Sequence, residues 1–139
     1  MSNFEIIEQR ISLVRKYLDS LEAYKGYTRE QIESDTMIRA SLERILYLAV
    51  QASIDLAEEV IAFKKLRKPA SYSEAFDIIA GANFISRDLT ERMIKMTGFR
   101  NVIAHDYVEL DYDKVYDVLH NRLSDIAEFL GIAENLPLT

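Results

Sequence analysis

The chain has 139 residues, 49% of them hydrophobic, with four glycines, two prolines, no cysteine and a formal net charge of −6. This length is typical of one domain and too short for two independent cores, and the lack of thiols excludes disulfides, zinc-thiolate sites and cysteine catalysis. The negative charge argues against non-specific nucleic-acid binding, and without an apolar run of about 18 residues or a signal-peptide pattern we predict a single cytoplasmic domain over residues 1–139, with no membrane contact.

The first predicted element is an amphipathic helix. Ser2 followed by Glu5 is the pattern of a capping box, which satisfies the free N–H groups of a helix start. Apolar residues then recur at spacings of three and four as far as Leu21, and Gly26 interrupts the pattern. The sequence therefore predicts a helix of about six turns that packs along one side on a neighbouring helix.

The second predicted helix is much longer. Thr28 and Gln31 form another capping-box pair, and from there to about Lys65 the chain contains no glycine or proline. A helix of that length would span roughly 50 Å. Its apolar stripe is wider than the usual third of a helix surface, which indicates burial on more than one side and is simply explained by self-association.

Four cations lie in five residues where this helix ends. They are Lys64, Lys65, Arg67 and Lys68, and Pro69 follows them and stops the helix. Such a run is usually a solvated helix end, where cations suit the negative end of the helix dipole. Contact with RNA or with an acidic partner is the alternative, so these four residues are candidates for RNA or partner binding.

Two shorter helices are predicted next. Ser71 and Glu74 have the capping-box spacing at the start of a third helix. Ser86 can cap a fourth helix, and Gly98 stands where a C-terminal cap glycine would lie. The fourth helix is therefore expected to break at Gly98.

The last predicted helix opens at Asp111 and Asp113, whose carboxylates suit a helix N-terminus, and it is ended by Gly131 and Pro137. With it the count reaches five helices, and no segment has the alternating pattern of a strand. The sequence predicts an all-α, up-down bundle of five helices with one long central helix.

Residue types suited to phosphodiester chemistry concentrate in residues 98–107. Arg100 supplies a permanent cation, Asn101 and Tyr107 supply neutral hydrogen-bonding groups, and His105 supplies the side-chain type that most often moves protons near neutral pH. In this hypothesis His105 acts on the ribose 2'-hydroxyl or the leaving 5'-oxygen, while Arg100 stabilises charge on the phosphate. Asn101 would orient the histidine or the phosphate. Such an internal attack leaves a 2',3'-cyclic phosphate and needs no metal.

The spacing alone does not bring the two main groups together. On a regular helix Arg100 and His105 point about 140° apart. A break at Gly98 would place Arg100 in a first helical turn, where free N–H groups also favour an anion, and a second copy about a two-fold axis could complete the site. A purely structural role stays open, in which Arg100 pairs with Asp106 or a C-terminal acid and Tyr107 only packs.

The same segment resembles a family signature. Residues 100–107 read Arg-Asn-Val-Ile-Ala-His-Asp-Tyr and are similar to the Arg-Asn-x3-His-x-Tyr signature of HEPN-domain toxins, specifically the HepT branch, which pairs with a minimal nucleotidyltransferase (MNT) antitoxin. The resemblance extends over about residues 4–130. It includes Glu43-Arg44, residues 51–57, Pro69 with residues 71–76, and residues 96–99.

This resemblance implies a homodimeric HEPN helical bundle that acts as a toxin and a metal-independent endoribonuclease without a cofactor, with tRNA among the candidate substrates. It implies that Arg100 and His105 are the catalytic pair and that Asn101 supports them. Tyr107 matches the tyrosine that the MNT partner modifies with AMP, which would block the cleft with bulk and negative charge.

Two other functions stay open. A non-catalytic helical subunit could present nucleotide or substrate to a nucleotidyltransferase, and the acidic end of the chain, with eight acidic and two basic residues after position 105, would suit an electropositive partner. A carboxylate metal bundle would have to use Asp117 and His120, the one acid-x-x-His pair in the chain. Ferritin-like sites use two such pairs and two more glutamates, so we predict no metal site.

Overall fold

The computed structural model describes residues 2–105 and 110–136, and within these ranges the chain is helical and contains no strand. The all-α prediction is confirmed. The described residues form seven α-helical segments rather than the five helices that we predicted. These are α1 (Asn3–Glu22), α2 (Arg29–Ser34), α3 (Thr36–Phe63), α4 (Tyr72–Gly81), α5 (Arg87–His105), α6 (Tyr112–Asp117) and α7 (Leu123–Glu134).

The predicted N-terminal caps are present. In each case a side-chain oxygen accepts a hydrogen bond from a backbone N–H two or three residues later, which satisfies a donor that the helix itself leaves free. Thr28 and Gln31 make both bonds of a capping box. The other caps formed in this way are Ser2, Ser71, Ser86 and Asp111.

The prediction of one helix from Thr28 to about Lys65 is wrong, because the chain turns at Asp35. The backbone of Asp35 is extended (φ −92°, ψ 109°), and its carboxylate accepts hydrogen bonds from the N–H groups of Met37 at 3.0 Å and Ile38 at 3.1 Å. Asp35 therefore caps a new helix. The remaining α3 still has 28 residues, about 42 Å at 1.5 Å per residue.

The predicted break at Gly98 is also wrong. α5 continues through Gly98 to His105, because the buried side chains of Phe99 and Ile103 carry its apolar face onward. Burying two large side chains outweighs the cost of about 1 kcal/mol for a glycine inside a helix. Arg100 consequently lies in the last two turns of α5, and the expected anion site at a helix start does not form there.

The predicted last helix is irregular in the middle. α6 and α7 are joined by a π-helical segment, Val118–Arg122, and α7 passes Gly131 without interruption because Ala133 beyond it is buried. Gly131 is therefore not the helix end that we predicted. Pro137 lies outside the described residues.

α3 is the centre of the packing. It contacts α1, α2, α4, α5 and α7, and its buried residues join the core along most of its length. No helix in the described ranges is long and apolar enough to cross a membrane. The buried faces of α3 and α5 meet over several turns, so the polar residues beside that contact define a surface shared by the two helices.

The first half of α5 is also tied to α7. The Arg92 guanidinium bonds Asp125 at 2.7 Å and Glu128 at 2.8 Å on α7, and Asp88 at 2.9 Å on its own helix. Asp125 is buried. Its hydrogen bond with Arg92 is the main reason that the pKa of Arg92 is raised above its ordinary value, and the hydrogen bond with Glu128 is the second. A buried carboxylate with a close partner fixes the side-by-side position of the two helices.

Candidate active-site cleft

A cleft of about 420 Å³ lies between α3 and α5. It contains both residues that the sequence identifies as the main chemical groups, Arg100 and His105. The structure therefore brings this pair to one surface without a helix break. The cleft is lined by Ala40, Glu43, Arg44 and Tyr47 on α3, and by Arg100, Ile103, Ala104 and His105 on α5.

Neutral oxygen atoms hold the guanidinium of Arg100 in place. Its Nε donates to Gln51 Oε1 at 2.9 Å, Nη1 donates to Asn101 Oδ1 at 3.0 Å, and Nη2 donates to the Tyr47 hydroxyl at 3.1 Å. Within the described ranges Arg100 has no carboxylate partner, which leaves its full positive charge at the cleft. The alternative in which Arg100 pairs with a C-terminal acid is not seen within these ranges, and Asp106 lies outside them.

Two tyrosine rings pack against the same guanidinium. The Cζ atom of Arg100 lies 5.1 Å from the ring centroid of Tyr47 and 5.1 Å from that of Tyr72, the first residue of α4. Both distances are within the range of cation–π attraction. The rings restrict where the guanidinium can move without reducing its charge.

Gln51 is itself held in one orientation. Its Nε2 donates to Asp55 Oδ1 at 2.9 Å. Because a carboxylate can only accept, the amide nitrogen must face Asp55 and the amide oxygen must face Arg100. Asp55 thus directs the acceptor that binds Arg100 without touching the arginine.

Four polar residues on the cleft side of α3 form one row, and two of them line the cleft. Glu43, Tyr47, Gln51 and Asp55 follow at intervals of four and so share one side of the helix. No role was predicted for Tyr47 from the sequence, and the other three residues were noted only as part of the family resemblance. A polar row at constant spacing in a largely apolar helix was the signal that could have identified them.

The other three predicted motif residues differ in their placement. Asn101 is exposed and bonds the Arg100 guanidinium, so the structure gives it a contact with the arginine rather than with His105. His105 is exposed at the described end of α5, where solvent and a substrate can reach it. Tyr107 lies outside the described residues.

Glu43 is the acid that lines the cleft. Its Oε1 accepts a hydrogen bond from the Tyr112 hydroxyl at 2.9 Å. Burial and then this bond raise the pKa of Tyr112, so the hydroxyl stays a donor at neutral pH. The carboxylate is therefore engaged with α6 rather than with a cleft arginine.

The four predicted cations of the loop after α3 do not line this cleft. Arg67 bonds Glu74 at 2.5 Å, which together with the Ala70 N–H lowers the pKa of that carboxyl. Lys64 lies over the rings of Phe63 and Phe84, at 5.8 and 5.4 Å. Lys65 and Lys68 are exposed. Their role in RNA or partner binding stays a prediction.

Asp117 and His120, the two residues of the alternative metal site, have no further candidate metal ligands beside them in the described ranges. Within residues 2–105 and 110–136 there is no group of three or more histidine, aspartate or glutamate side chains that could hold a metal. Asp117 accepts a hydrogen bond from Asn121 at 2.8 Å. The His120 ring packs on Tyr116, with centroids 4.2 Å apart. Both side chains have structural contacts instead.

Comparison with known proteins gives consistent matches. A family model described as "Ribonuclease HepT-like" matches residues 7–132. The chain is 28% identical to the mRNA nuclease HepT of Shewanella oneidensis over 128 residues, 92% of this chain and 96% of that protein. It is 29% identical to the tRNA nuclease HepT of Aphanizomenon flos-aquae over 118 residues, 84% and 80% of the two chains. Among solved structures, a tri-AMPylated Shewanella oneidensis HEPN toxin in complex with an MNT antitoxin matches with a TM-score of 0.87 and 27% identity, over 98% of this chain and all 100% of that chain.

Proposed function

Since the chain belongs to the HepT-like ribonuclease family, we propose that it is an endoribonuclease, the toxin of a HEPN/MNT pair, and that it needs neither a metal ion nor a cofactor. The observation that carries this proposal is the Arg100 guanidinium, fixed by neutral acceptors in the cleft that also contains His105. A charged group kept without a carboxylate partner beside an exposed imidazole suits a phosphodiester, which is anionic and reacts by proton transfer.

The proposed reaction is an internal transfer at phosphorus. The ribose 2'-oxygen loses its proton and bonds to the phosphorus atom, while the bond from phosphorus to the 5'-oxygen breaks and that oxygen gains a proton. His105 takes the proton from the 2'-hydroxyl or gives a proton to the leaving 5'-oxygen. Arg100 stabilises the charge that builds on the non-bridging oxygens. Asn101 supports Arg100 through its side-chain oxygen. The products are a 2',3'-cyclic phosphate and a 5'-hydroxyl.

The active form is proposed to be a cytoplasmic homodimer in which each chain contributes one domain over residues 1–139. Val102, between Arg100 and His105 in sequence, is 43% exposed, and Tyr72, whose ring packs against Arg100, is 37% exposed. Large apolar side chains beside a site are typical of a surface that a second protomer covers. A two-fold dimer would bring two copies of the cleft to one interface.

Purified protein is expected to cleave RNA at an unchanged rate when EDTA is present, because the 2'-hydroxyl attacks from within the substrate and protein side chains move the protons. The substrates named for the two relatives are mRNA and tRNA, so both kinds of RNA are tested. Gel analysis of end-labelled RNA, with phosphatase-resistant 2',3'-cyclic ends, gives the readout. Cleavage that EDTA stops and Mg²⁺ restores would contradict metal independence.

RNA left intact at every pH, by a chain that binds a nucleotidyltransferase tightly, would instead favour the non-catalytic subunit.

Tyr107→Phe is expected to leave RNA cleavage working and to make the chain resistant to inactivation by its MNT partner, because the substitution removes the hydroxyl that would accept AMP. Mass spectrometry of protein co-expressed with the partner gives the mass and position of the adduct. Tyr112→Phe is the matched control, since it removes a hydroxyl that is bonded to Glu43 and should leave modification intact. An AMP adduct on a residue other than Tyr107 would show that this assignment is wrong.

A further inference from the structure

We propose that Arg44 binds a second phosphate of the RNA, next to the scissile phosphate held by Arg100. This inference rests on the proposed ribonuclease function and adds a substrate-binding residue to the same cleft. Neither the motif nor the spacing of residues 98–107 points to Arg44, which lies on the opposite wall, on α3.

The first support is the position of the two guanidinium groups. The Cζ atom of Arg44 lies 5.5 Å from the ring centroid of Tyr47, and the Cζ atom of Arg100 lies 5.1 Å from the same centroid. Both guanidinium groups therefore lie within cation–π distance of the same aromatic ring. Because Arg44 and Arg100 line the same cleft, we expect a single strand with one phosphate on Arg100 to pass Arg44.

The second support is the charge of Arg44. Within the described ranges Arg44 has no carboxylate within 4.0 Å, and its neighbour Glu43 bonds Tyr112 instead. Two like charges on one ring repel each other, and an anion placed between them removes that cost. Six arginines elsewhere in these ranges do have a carboxylate partner: Arg15, Arg29, Arg67, Arg87, Arg92 and Arg122.

The third support is the shape of the Arg44 guanidinium and its accessibility to a ligand. Arg44 is exposed and lines the cleft. Its planar guanidinium can donate two parallel hydrogen bonds to a phosphate, and the Tyr47 ring one turn away limits its orientations. A contact with an acidic segment of a second protein is the competing explanation, and the experiment separates the two.

The test measures RNA binding without cleavage. His105→Ala protein is titrated with a fluorescent oligonucleotide that the wild-type chain cuts, with and without Arg44→Ala. We expect Arg44→Ala to weaken binding about tenfold, the effect of losing one charged hydrogen-bonding group, and to reduce the dependence of log affinity on log salt by about 0.7, the contribution of one phosphate contact on a single strand.

Arg87→Ala on the same background is the matched control, because it removes one positive charge from a side chain that is 70% exposed and outside the cleft. It should change binding far less. Arg44→Gln keeps most of the stem and should lose affinity as Arg44→Ala does, which excludes an effect of packing.

Equal affinities for the Arg44 and Arg87 variants, with cleavage by the wild-type chain intact, would overturn the inference and leave the ribonuclease function standing. Loss of dimer or antitoxin binding in Arg44→Ala, with RNA affinity unchanged, would overturn it in favour of a protein contact. If the wild-type chain neither cuts nor binds any RNA tested, both the proposed function and this inference are wrong.

Discussion

Replacing Arg100 with alanine is expected to lower the single-turnover rate of RNA cleavage by at least about a hundredfold, the usual loss when one group that stabilises transition-state charge is removed. The fold should remain, because the side chain is only half-buried and its partners are neutral side chains that can bond water. Circular dichroism and gel filtration check the fold, and a cleavage assay at saturating protein checks the rate.

The Arg100→Lys variant distinguishes the effect of the positive charge from the effect of the hydrogen-bond geometry. One ammonium group cannot bond Gln51, Asn101 and Tyr47 as the forked guanidinium does, so most of the loss should persist although the charge is kept. Arg87→Ala serves again as the control that changes charge away from the cleft. Cleavage by Arg100→Ala at the wild-type rate would refute the catalytic role of this residue.

His105→Ala is the second large effect that we expect, a loss of about a hundredfold to ten-thousandfold, which is the usual contribution of a positioned proton-transfer group. Imidazole added to the buffer should restore part of the rate to this variant, because the removed side chain leaves space in an exposed part of the cleft. The readout is the cleavage rate as a function of imidazole concentration.

The other histidine of the chain provides the control. His120 packs on the Tyr116 ring and does not line the cleft, so His120→Gln should cut RNA at nearly the wild-type rate. Equal losses in the two variants would indicate a general effect on folding, and an active His105→Ala protein would remove His105 from the reaction.

The parts of the fold that depend on short-range chemistry were predictable from sequence. The Ser2, Thr28, Ser71 and Ser86 caps need only a hydroxyl and an N–H a few residues apart, and all four form. The helix boundaries at Asp35 and Gly98 were not predicted correctly.

The two errors have different physical origins. At Asp35 the chain turns although no glycine or proline marks the place, which lets Ile32 on α2 join the core separately from α3. At Gly98 a residue that commonly ends helices lies inside one, because Phe99 and Ile103 are buried. The boundary at Asp35 is made by a short-range cap that the prediction overlooked. At Gly98, packing with distant parts of the chain decided the outcome, and a local pattern carries little information about it.

The sequence predicted two residues that line the cleft, but it did not predict the geometry of the cleft or the role of Tyr47. The motif identified Arg100 and His105, whereas their common cleft depends on α3, whose residues Tyr47 and Gln51 lie about 50 positions earlier in the chain. The 140° separation along a regular helix suggested that the pair needs a break or a second chain. A cleft wall supplied by α3 lets both residues reach one surface, although α5 is unbroken.

Among the side-chain contacts of α5, Arg92 ties it to α7 and Arg100 ties it to α3. An unrestrained arginine side chain has about 2 kcal/mol of rotamer entropy to lose when it is immobilised. The hydrogen bonds to Gln51 and Tyr47 mean that much of that entropy is already lost when the protein folds. For the proposed reaction this means that the guanidinium is preorganised for the phosphate, and that the substrate's own binding energy remains available for bringing the 2'-oxygen into line with the bond that breaks.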